Sequence, residues 1–223
     1  MTLRRKNAEH VARTRGVIFD FDGTIADSMA AIVQVFEDLT GRHGRYSQEQ
    51  MDAFRSLTFP QLVKALEVPR WKVPILLFRG RRMLRAHMHG IAVHEGIAET
   101  LERLHNLGIP LYVLSSNSTE NVQKYLQWHK LSHCFSGVYG GASILGKAPH
   151  LLSLLKKEQV DATHSWYVGD EMRDVSAARA VGLKCAAVTW GYNTRTSLAG
   201  KEPDALVDTA EQLAEALERS WKK

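Results

Sequence analysis

Two aspartates, Asp20 and Asp22, stand one residue apart and run directly into Gly23-Thr24. Alternate residues of an extended segment point the same way, so both acids can face one pocket while Phe19 and Phe21 turn elsewhere. Such a pair suits covalent phosphoryl transfer. One ionised carboxylate attacks phosphorus to give an aspartyl-phosphate, and the other protonates the leaving oxygen and later activates water. For an isolated Asp-x-Asp the plainer reading is a solvated acidic turn; the partners elsewhere in the chain weigh against it.

Gly169-Asp170-Glu171-Met172-Arg173-Asp174 supplies two further acids four residues apart. Mg2+ takes oxygen ligands and usually keeps several waters, so a few carboxylates from two loops suffice to hold it. Asp174 could also simply cap a helix that begins at Val175. Ser116 and Asn117 offer a hydroxyl, an amide and backbone N–H groups that suit phosphoryl oxygens. Lys147, preceded by Gly146 and opening a helical pattern, brings the cation that a phosphate site needs, although a lone lysine in that position is commonly a surface residue.

The elements that carry these residues explain why they should meet. Val17-Ile18-Phe19-Asp20, Tyr112-Val113-Leu114-Ser115-Ser116 and Trp166-Tyr167-Val168-Gly169-Asp170 are apolar runs that each close on a polar residue. Runs of this kind read as strands buried on both faces, and open parallel sheets bind ligands beyond the carboxyl ends of their strands. Further strand patterns fall at Gly137 to Tyr139, Ala186 to Thr189 and, weakly, Ala205 to Val207. Helical patterns alternate with them near Asn121 to Trp128, His150 to Lys157, Val175 to Ala180 and Thr209 to Trp221. This is the punctuation of βαβ units and a parallel sheet. Asp208 with Glu211 resembles a capping box for the last helix, and Gly108, Gly182 and Gly200 sit where helices or turns should stop.

One stretch breaks the alternation. Ser28 to about His89 shows helical periodicity and no buried strand, far more than one crossover helix requires. The expected organisation is therefore an α/β core from residues 1–28 and 92–223, with a helical subdomain of residues 29–91 inserted after the first strand.

Composition frames this reading. The chain has 223 residues, 44% hydrophobic and 24% charged, enough for one α/β core plus a smaller unit. Cys134 and Cys185 form no metal-binding spacing, which points to core residues in a reducing compartment. The first sixteen residues carry Arg4, Arg5, Lys6, Arg13 and Arg15 without an apolar run, and no later segment approaches a membrane span, so a cytoplasmic protein with a frayed N-terminal arm is expected. The net charge is +5. Between Lys64 and Arg85, the seven bases Lys64, Arg70, Lys72, Arg79, Arg81, Arg82 and Arg85 face only Glu67. A solvated helix face accounts for that bias, an anion-attracting surface is the next reading, and nucleic acid is an unlikely partner.

In order and content these motifs resemble those of the haloacid dehalogenase superfamily: Asp20-Phe21-Asp22-Gly23-Thr24, then Ser116, Lys147 and Gly169-Asp170-x-x-x-Asp174. His94-Glu95-Gly96-Ile97, Leu114-Ser115-Ser116-Asn117 and the stretch from Tyr167 to Tyr192 are similar to phosphoglycolate phosphatase-like members. The resemblance implies a Rossmann-like core with a helical cap after the first motif. It assigns Asp20 as nucleophile and Mg2+ ligand, Asp22 as general acid/base and backbone-carbonyl ligand, Ser116 and Lys147 as phosphoryl-binding residues, Asp170 as a direct Mg2+ ligand and Asp174 as a direct or outer one. Relatives usually carry Pro directly after the motif lysine; here Ala148 follows and Pro149 comes next, while Lys156 and Lys157 lie too far down the helix to substitute.

An Asp two residues after the nucleophile separates phosphatases and phosphomutases from dehalogenases and phosphonatases of this superfamily, so Asp22 implies phosphate ester chemistry. Mutases resembling β-phosphoglucomutase commonly carry a His in the first cap helix, and Met29 to Phe36 contains none. The expected activity is a Mg2+-dependent phosphatase acting on a small phosphorylated metabolite, phosphoglycolate-like or a sugar phosphate. A phosphomutase is the alternative, and a non-catalytic binding or regulatory protein using the basic insert is the third reading. Arg55, in the insert turn Arg55 to Pro60, is weighed as a substrate contact against an exposed helix end. Trp71 and Leu76 to Phe78 would suit an exposed patch on a monomer or the contact of a homodimer.

Overall fold

The computed structural model describes residues 14–41, 44, 46–76, 78–79, 82, 88–143 and 146–221. The basic N-terminal residues up to Arg13, together with Leu77, Arg81 and Arg85, lie outside this set. Six strands, β1 (Val17–Phe19), β2 (Leu111–Leu114), β3 (Gly137–Tyr139), β4 (Trp166–Gly169), β5 (Lys184–Val188) and β6 (Ala205–Val207), form one sheet in the order β3-β2-β1-β4-β5-β6. All five pairings are parallel. Phe19 stands opposite Val113 on one side and Val168 on the other.

Strand alternation divides the core into two layers. Val17, Phe19, Leu111, Val113, Trp166, Val168, Ala186 and Val188 face one layer. It is closed by α4 (Ile97–Asn106), α5 (Thr119–Trp128) and α9 (Ala210–Trp221). Ile18, Tyr112, Leu114, Tyr167, Cys185 and Ala187 face the other, covered by α6 (Ala148–Lys157), α7 (Met172–Ala180) and α8 (Arg195–Ala199). Strands covered on both faces must be apolar at every position, and for that reason they read as unbroken hydrophobic runs.

The order 3-2-1-4-5-6 is that of the doubly wound Rossmann fold. The chain leaves β1 toward β2 on one side and returns to β4 on the other, which opens a crevice at the carboxyl ends of β1 and β4. Asp20 and Asp170 are the residues that follow those two strands.

Between Ser28 and Ile91 the described residues form helices and turns, and none joins the sheet. They include α1 (Met29–Thr40), α2 (Gln48–Phe54) and α3 (Phe59–Ala65). Ser47 opens α2 with a reciprocal capping box to Gln50. Trp71, Ile75 and Phe78 are exposed and Leu76 is half-buried; the neighbouring Lys64, Arg70, Lys72, Arg79 and Arg82 are exposed as well.

Several boundaries differ from expectation, each for a physical reason. β5 starts at Lys184, because Lys184 and Cys185 already pair with Trp166 and Tyr167 of β4, while its pairing with β6 begins only at Ala186. α6 starts at Ala148, two residues early, since Pro149 in a first helical turn gives up an N–H that would have no partner. α9 is capped by Thr209, whose hydroxyl accepts from Gln212 N–H, rather than by Asp208 with Glu211. Asp208 instead accepts from Thr189 and Arg195, and Glu211 pairs with Arg103.

Candidate active site

Asp20 follows β1, and its backbone N–H continues the ladder to Val168 O at 2.8 Å. That pairing turns the carboxylate of Asp20 into the crevice. Its Oδ1 accepts from Phe21 N–H at 2.8 Å and its Oδ2 meets Lys147 Nζ. Lys147 is the residue before α6, buried with 1% exposure, and its ammonium also reaches Asp174 Oδ1 at 2.8 Å and the Tyr167 hydroxyl at 2.9 Å. One lysine therefore joins the end of β1, the first turn of α7 and the middle of β4.

Asp174 sits inside α7 rather than at its start. Its Oδ2 accepts from Glu171 N–H at 3.1 Å, closing a capping box, and its Oδ1 serves Lys147. Asp170 is held from both sides: Thr24 Oγ1 donates to Oδ1 at 2.8 Å and Tyr192 N–H donates to Oδ2 at 2.7 Å. Oxygens of Asp20, Asp170 and Asp174 all lie within 4.8 Å of one another, and all three residues are buried. Gly23 and Gly191 are required here. Gly23 has φ +79°, and a Cβ on either residue would strike the Asp170 carboxylate.

Three enclosed acids against so few cations are electrostatically crowded. Burial pushes the Asp170 carboxyl well above its usual range, and the charges of Asp20, Glu171 and Asp174 add to that. Asp20 is also pushed up by burial, opposed by Lys147. Burial works against the Lys147 ammonium, but Asp174 and Asp20 outweigh it, so its pKa stands above that of an ordinary lysine. Asp22 is half-buried; its Oδ1 is enclosed with no hydrogen-bond partner among the described residues. Burial raises its carboxyl too, with Ser28, Lys147 and Asn117 opposing.

At the end of β2, Ser115 is buried and its hydroxyl accepts from Asn117 N–H at 2.9 Å, leaving Ser116 as the half-buried, outward serine. The Asn117 Oδ1 accepts from Ser118 N–H and from Asn121 Nδ2, and its Nδ2 reaches Met88 Sδ at 3.9 Å. The crevice thus gathers Asp20, Lys147, Asp170 and Asp174 into one contact network. Asp22 lies within the influence of the same lysine, and Ser116 with Asn117 lies on the neighbouring strand end.

Four contributors were not singled out as site residues from sequence. In the sequence, Thr24 has the pattern of a turn residue and Tyr167 that of a buried strand residue. Tyr192 and Asn193 follow β5, where polar residues past a strand end were a usable signal. Arg55 is half-buried rather than an exposed helix end: its guanidinium donates to the carbonyls of Gly191 and Tyr192, both at 3.0 Å.

Elsewhere, Cys134 and Cys185 are buried free thiols. Burial pushes the Cys134 thiol up to about 11, and it stands beside His133, which pairs with Glu102. Among the described residues no helix is long and apolar enough to cross a membrane.

Residues 17–188 match the family model described as haloacid dehalogenase-like hydrolase. Over 205 residues the chain is 36% identical to a phosphoglycolate phosphatase of Synechococcus elongatus, covering 91% of this chain and 97% of that protein. A phosphoglycolate phosphatase of Aliivibrio fischeri is 28% identical over 216 residues, covering 90% and 95%. Among solved structures, a haloacid dehalogenase-like family hydrolase from Streptococcus pneumoniae superposes with a TM-score of 0.76 at 23% identity, covering 91% of this chain and 98% of that one. A hydrolase from Pseudomonas syringae gives 0.73 at 18% identity, covering 92% and 99%.

Proposed function

The chain belongs to the haloacid dehalogenase-like hydrolase family, and from that premise we propose that it is a Mg2+-dependent phosphatase acting on a small phosphorylated metabolite through an aspartyl-phosphate on Asp20. The observation that carries this reading is the convergence of three buried carboxylates and one buried lysine at the crevice between β1 and β4. The activity of the relatives makes 2-phosphoglycolate the first substrate to try. Residues 29–91 act in this reading as a cap over the crevice. The buried free thiols fit a reducing cytoplasm.

The donor set suits a hard divalent cation. Asp20, Asp170 and Asp174 present oxygen ligands only, and their mutual repulsion in an enclosed site calls for positive charge beyond Lys147 and the nearby Arg173. Asp20 and Asp170 would hold Mg2+, with the Asp22 backbone carbonyl as a further ligand and Asp174 direct or one shell out. When bound, Mg2+ neutralises charge on the transferring phosphoryl group. The ionised carboxylate of Asp20 attacks phosphorus, and the bond from phosphorus to the ester oxygen breaks. Asp22, whose raised pKa keeps a proton available, gives that proton to the departing oxygen. Asp22 then takes a proton from water as the water attacks phosphorus, the bond to Asp20 breaks, and inorganic phosphate leaves with the carboxylate restored. Lys147 and Ser116 bind phosphoryl oxygens, and Lys147 holds Asp20 in line.

The test is phosphate release from a panel that includes 2-phosphoglycolate and sugar phosphates, with Mg2+ and with EDTA. Release that requires Mg2+ supports the reading. Conversion of a sugar phosphate to its isomer without net phosphate release would replace it with the mutase.

Asp22→Asn should lower kcat by about 10² to 10⁴-fold, the usual contribution of a placed acid/base. The loss should be smallest with an aryl phosphate, whose leaving oxygen needs no proton. Equal loss on alkyl and aryl esters would remove Asp22 from leaving-group protonation.

Acid crowding also has a stability signature. Asp170 releases its proton near the ordinary carboxylate value when unfolded but only at higher pH when folded, so between those values the native state holds more protons. Stability of the metal-free protein therefore falls as pH rises through the folded pKa. Asp170→Asn removes that deficit, and calorimetry in EDTA at pH 8 should show Tm raised by about 3 °C or more while turnover is lost. An unchanged or lowered Tm would mean that repulsion is already relieved in the native protein.

A further inference from the structure

The turn after β5 has two sides. Toward the crevice, Tyr192 N–H donates to Asp170 Oδ2 at 2.7 Å, Asn193 N–H donates to the Asp170 carbonyl at 3.2 Å, and Asn193 Oδ1 accepts from Met172 N–H at 2.8 Å. Toward the helical insert, Arg55 Nε and Nη2 donate to the carbonyls of Tyr192 and Gly191. Asn193 Nδ2 donates back to the carbonyl of Arg55 at 2.6 Å, and Thr194 N–H donates to the same carbonyl at 3.3 Å. Arg55 is the residue that ends α2, so its carbonyl is one that the helix itself leaves without a partner. Residues 191–193 thus turn N–H groups to Asp170 and carbonyls to the insert. The close approach is enforced, because a Cβ on Gly191 would collide with Asp170 and with the Gly23 carbonyl.

We propose that Arg55 and Asn193 form a latch through which docking of the cap on the core sets the position of the Asp170 carboxylate, making Arg55 a positioning residue for the metal site rather than a substrate contact. The proposal rests on the assignment of Asp170 as a Mg2+ ligand. Opening the cap must break the Arg55 bonds, and the turn that aims Tyr192 N–H at Asp170 is then held from one side only. Partners that orient a ligating carboxylate usually change metal affinity 10 to 100-fold when removed. Coupling is reciprocal, so Mg2+ must favour the docked cap by the same factor that docking favours Mg2+.

The decisive measurement is Mg2+ affinity by calorimetry on the full chain without substrate, for wild type, Arg55→Ala and Arg55→Lys, beside kcat and KM. About tenfold weaker Mg2+ binding is expected in Arg55→Ala, with partial recovery in Arg55→Lys, which can still reach one carbonyl. Hydrogen exchange at Thr194 N–H should slow on adding Mg2+ to the wild type and respond little in Arg55→Ala. Arg55 is only half-buried, so both variants are expected to fold; if Arg55→Ala does not, the Lys variant must still bind Mg2+ more weakly than wild type. Mg2+ affinity unchanged in a folded variant overturns the latch, and a rise in KM alone would return Arg55 to substrate binding. A shifted Mg2+ affinity in a protein that hydrolyses no phosphate ester would keep the latch and refute the phosphatase.

Discussion

Asp20→Asn abolishes phosphate release, by at least about 10³-fold, while the protein keeps its fold. The amide has the shape of the carboxylate and retains an oxygen for Phe21 N–H, the contact that Asp20 Oδ1 makes at 2.8 Å. It cannot attack phosphorus, so the covalent step has no substitute. Lys147 keeps Asp174 and Tyr167 as partners, which limits the structural cost. Two readouts separate chemistry from binding. Phosphate release should disappear, and acid-quenched wild type incubated with labelled substrate should carry phosphate on the protein while the variant carries none. A variant that keeps more than about 10% of the rate would remove Asp20 as nucleophile. One that loses the rate but still becomes labelled would place the covalent step on another residue.

The parts of this molecule that follow local rules were legible in the sequence. β1, β2 and β4 are buried on both faces, so each reads as an apolar run, and each ends where the chain must turn out toward the crevice with Asp20, Ser115-Ser116 or Asp170. Their parallel pairing followed from the alternation of strand and helix patterns, whereas the order β3-β2-β1-β4-β5-β6 depends on contacts between elements that no local pattern contains. What stayed hidden depends on tertiary contact. Tyr167 looks like any strand residue until α6 packs on its face of the sheet and brings Lys147 onto its hydroxyl. Arg55 looks like an exposed helix end until the turn after β5 presents two carbonyls to it. The cap of α9 moved by one residue because Asp208 is bound to Thr189 and Arg195, elements that no local window contains. The displaced proline after Lys147 was harmless for a local reason: both of the first two helical positions tolerate a missing N–H.

Lys147→Met is expected to have the largest effect on stability of any single substitution in the crevice, and to reduce turnover at least about 10²-fold. Methionine fills a similar volume, so the loss isolates the charge. Lys147 is 1% exposed and touches Asp20, Asp174 and Tyr167. Without it two buried carboxylates lose their cation, and breaking a buried ion pair from one side typically costs about 3 to 5 kcal/mol. For a chain of this length that corresponds to a Tm lower by about 10 °C. The loss should depend on pH in a defined direction. Lys147 lowers the pKa of Asp20, so its removal raises that pKa further. At pH 5 Asp20 takes up a proton and the deficit shrinks; toward pH 8 it is driven to carry charge and the deficit grows. Mg2+ should recover part of the Tm by supplying positive charge to the same oxygens, but not the turnover, because the phosphoryl oxygens still lack the lysine. Calorimetry across pH 5 to 8 with Mg2+ and with EDTA reads all of these at once. A deficit independent of both pH and Mg2+ would mean that Lys147 contributes packing rather than charge.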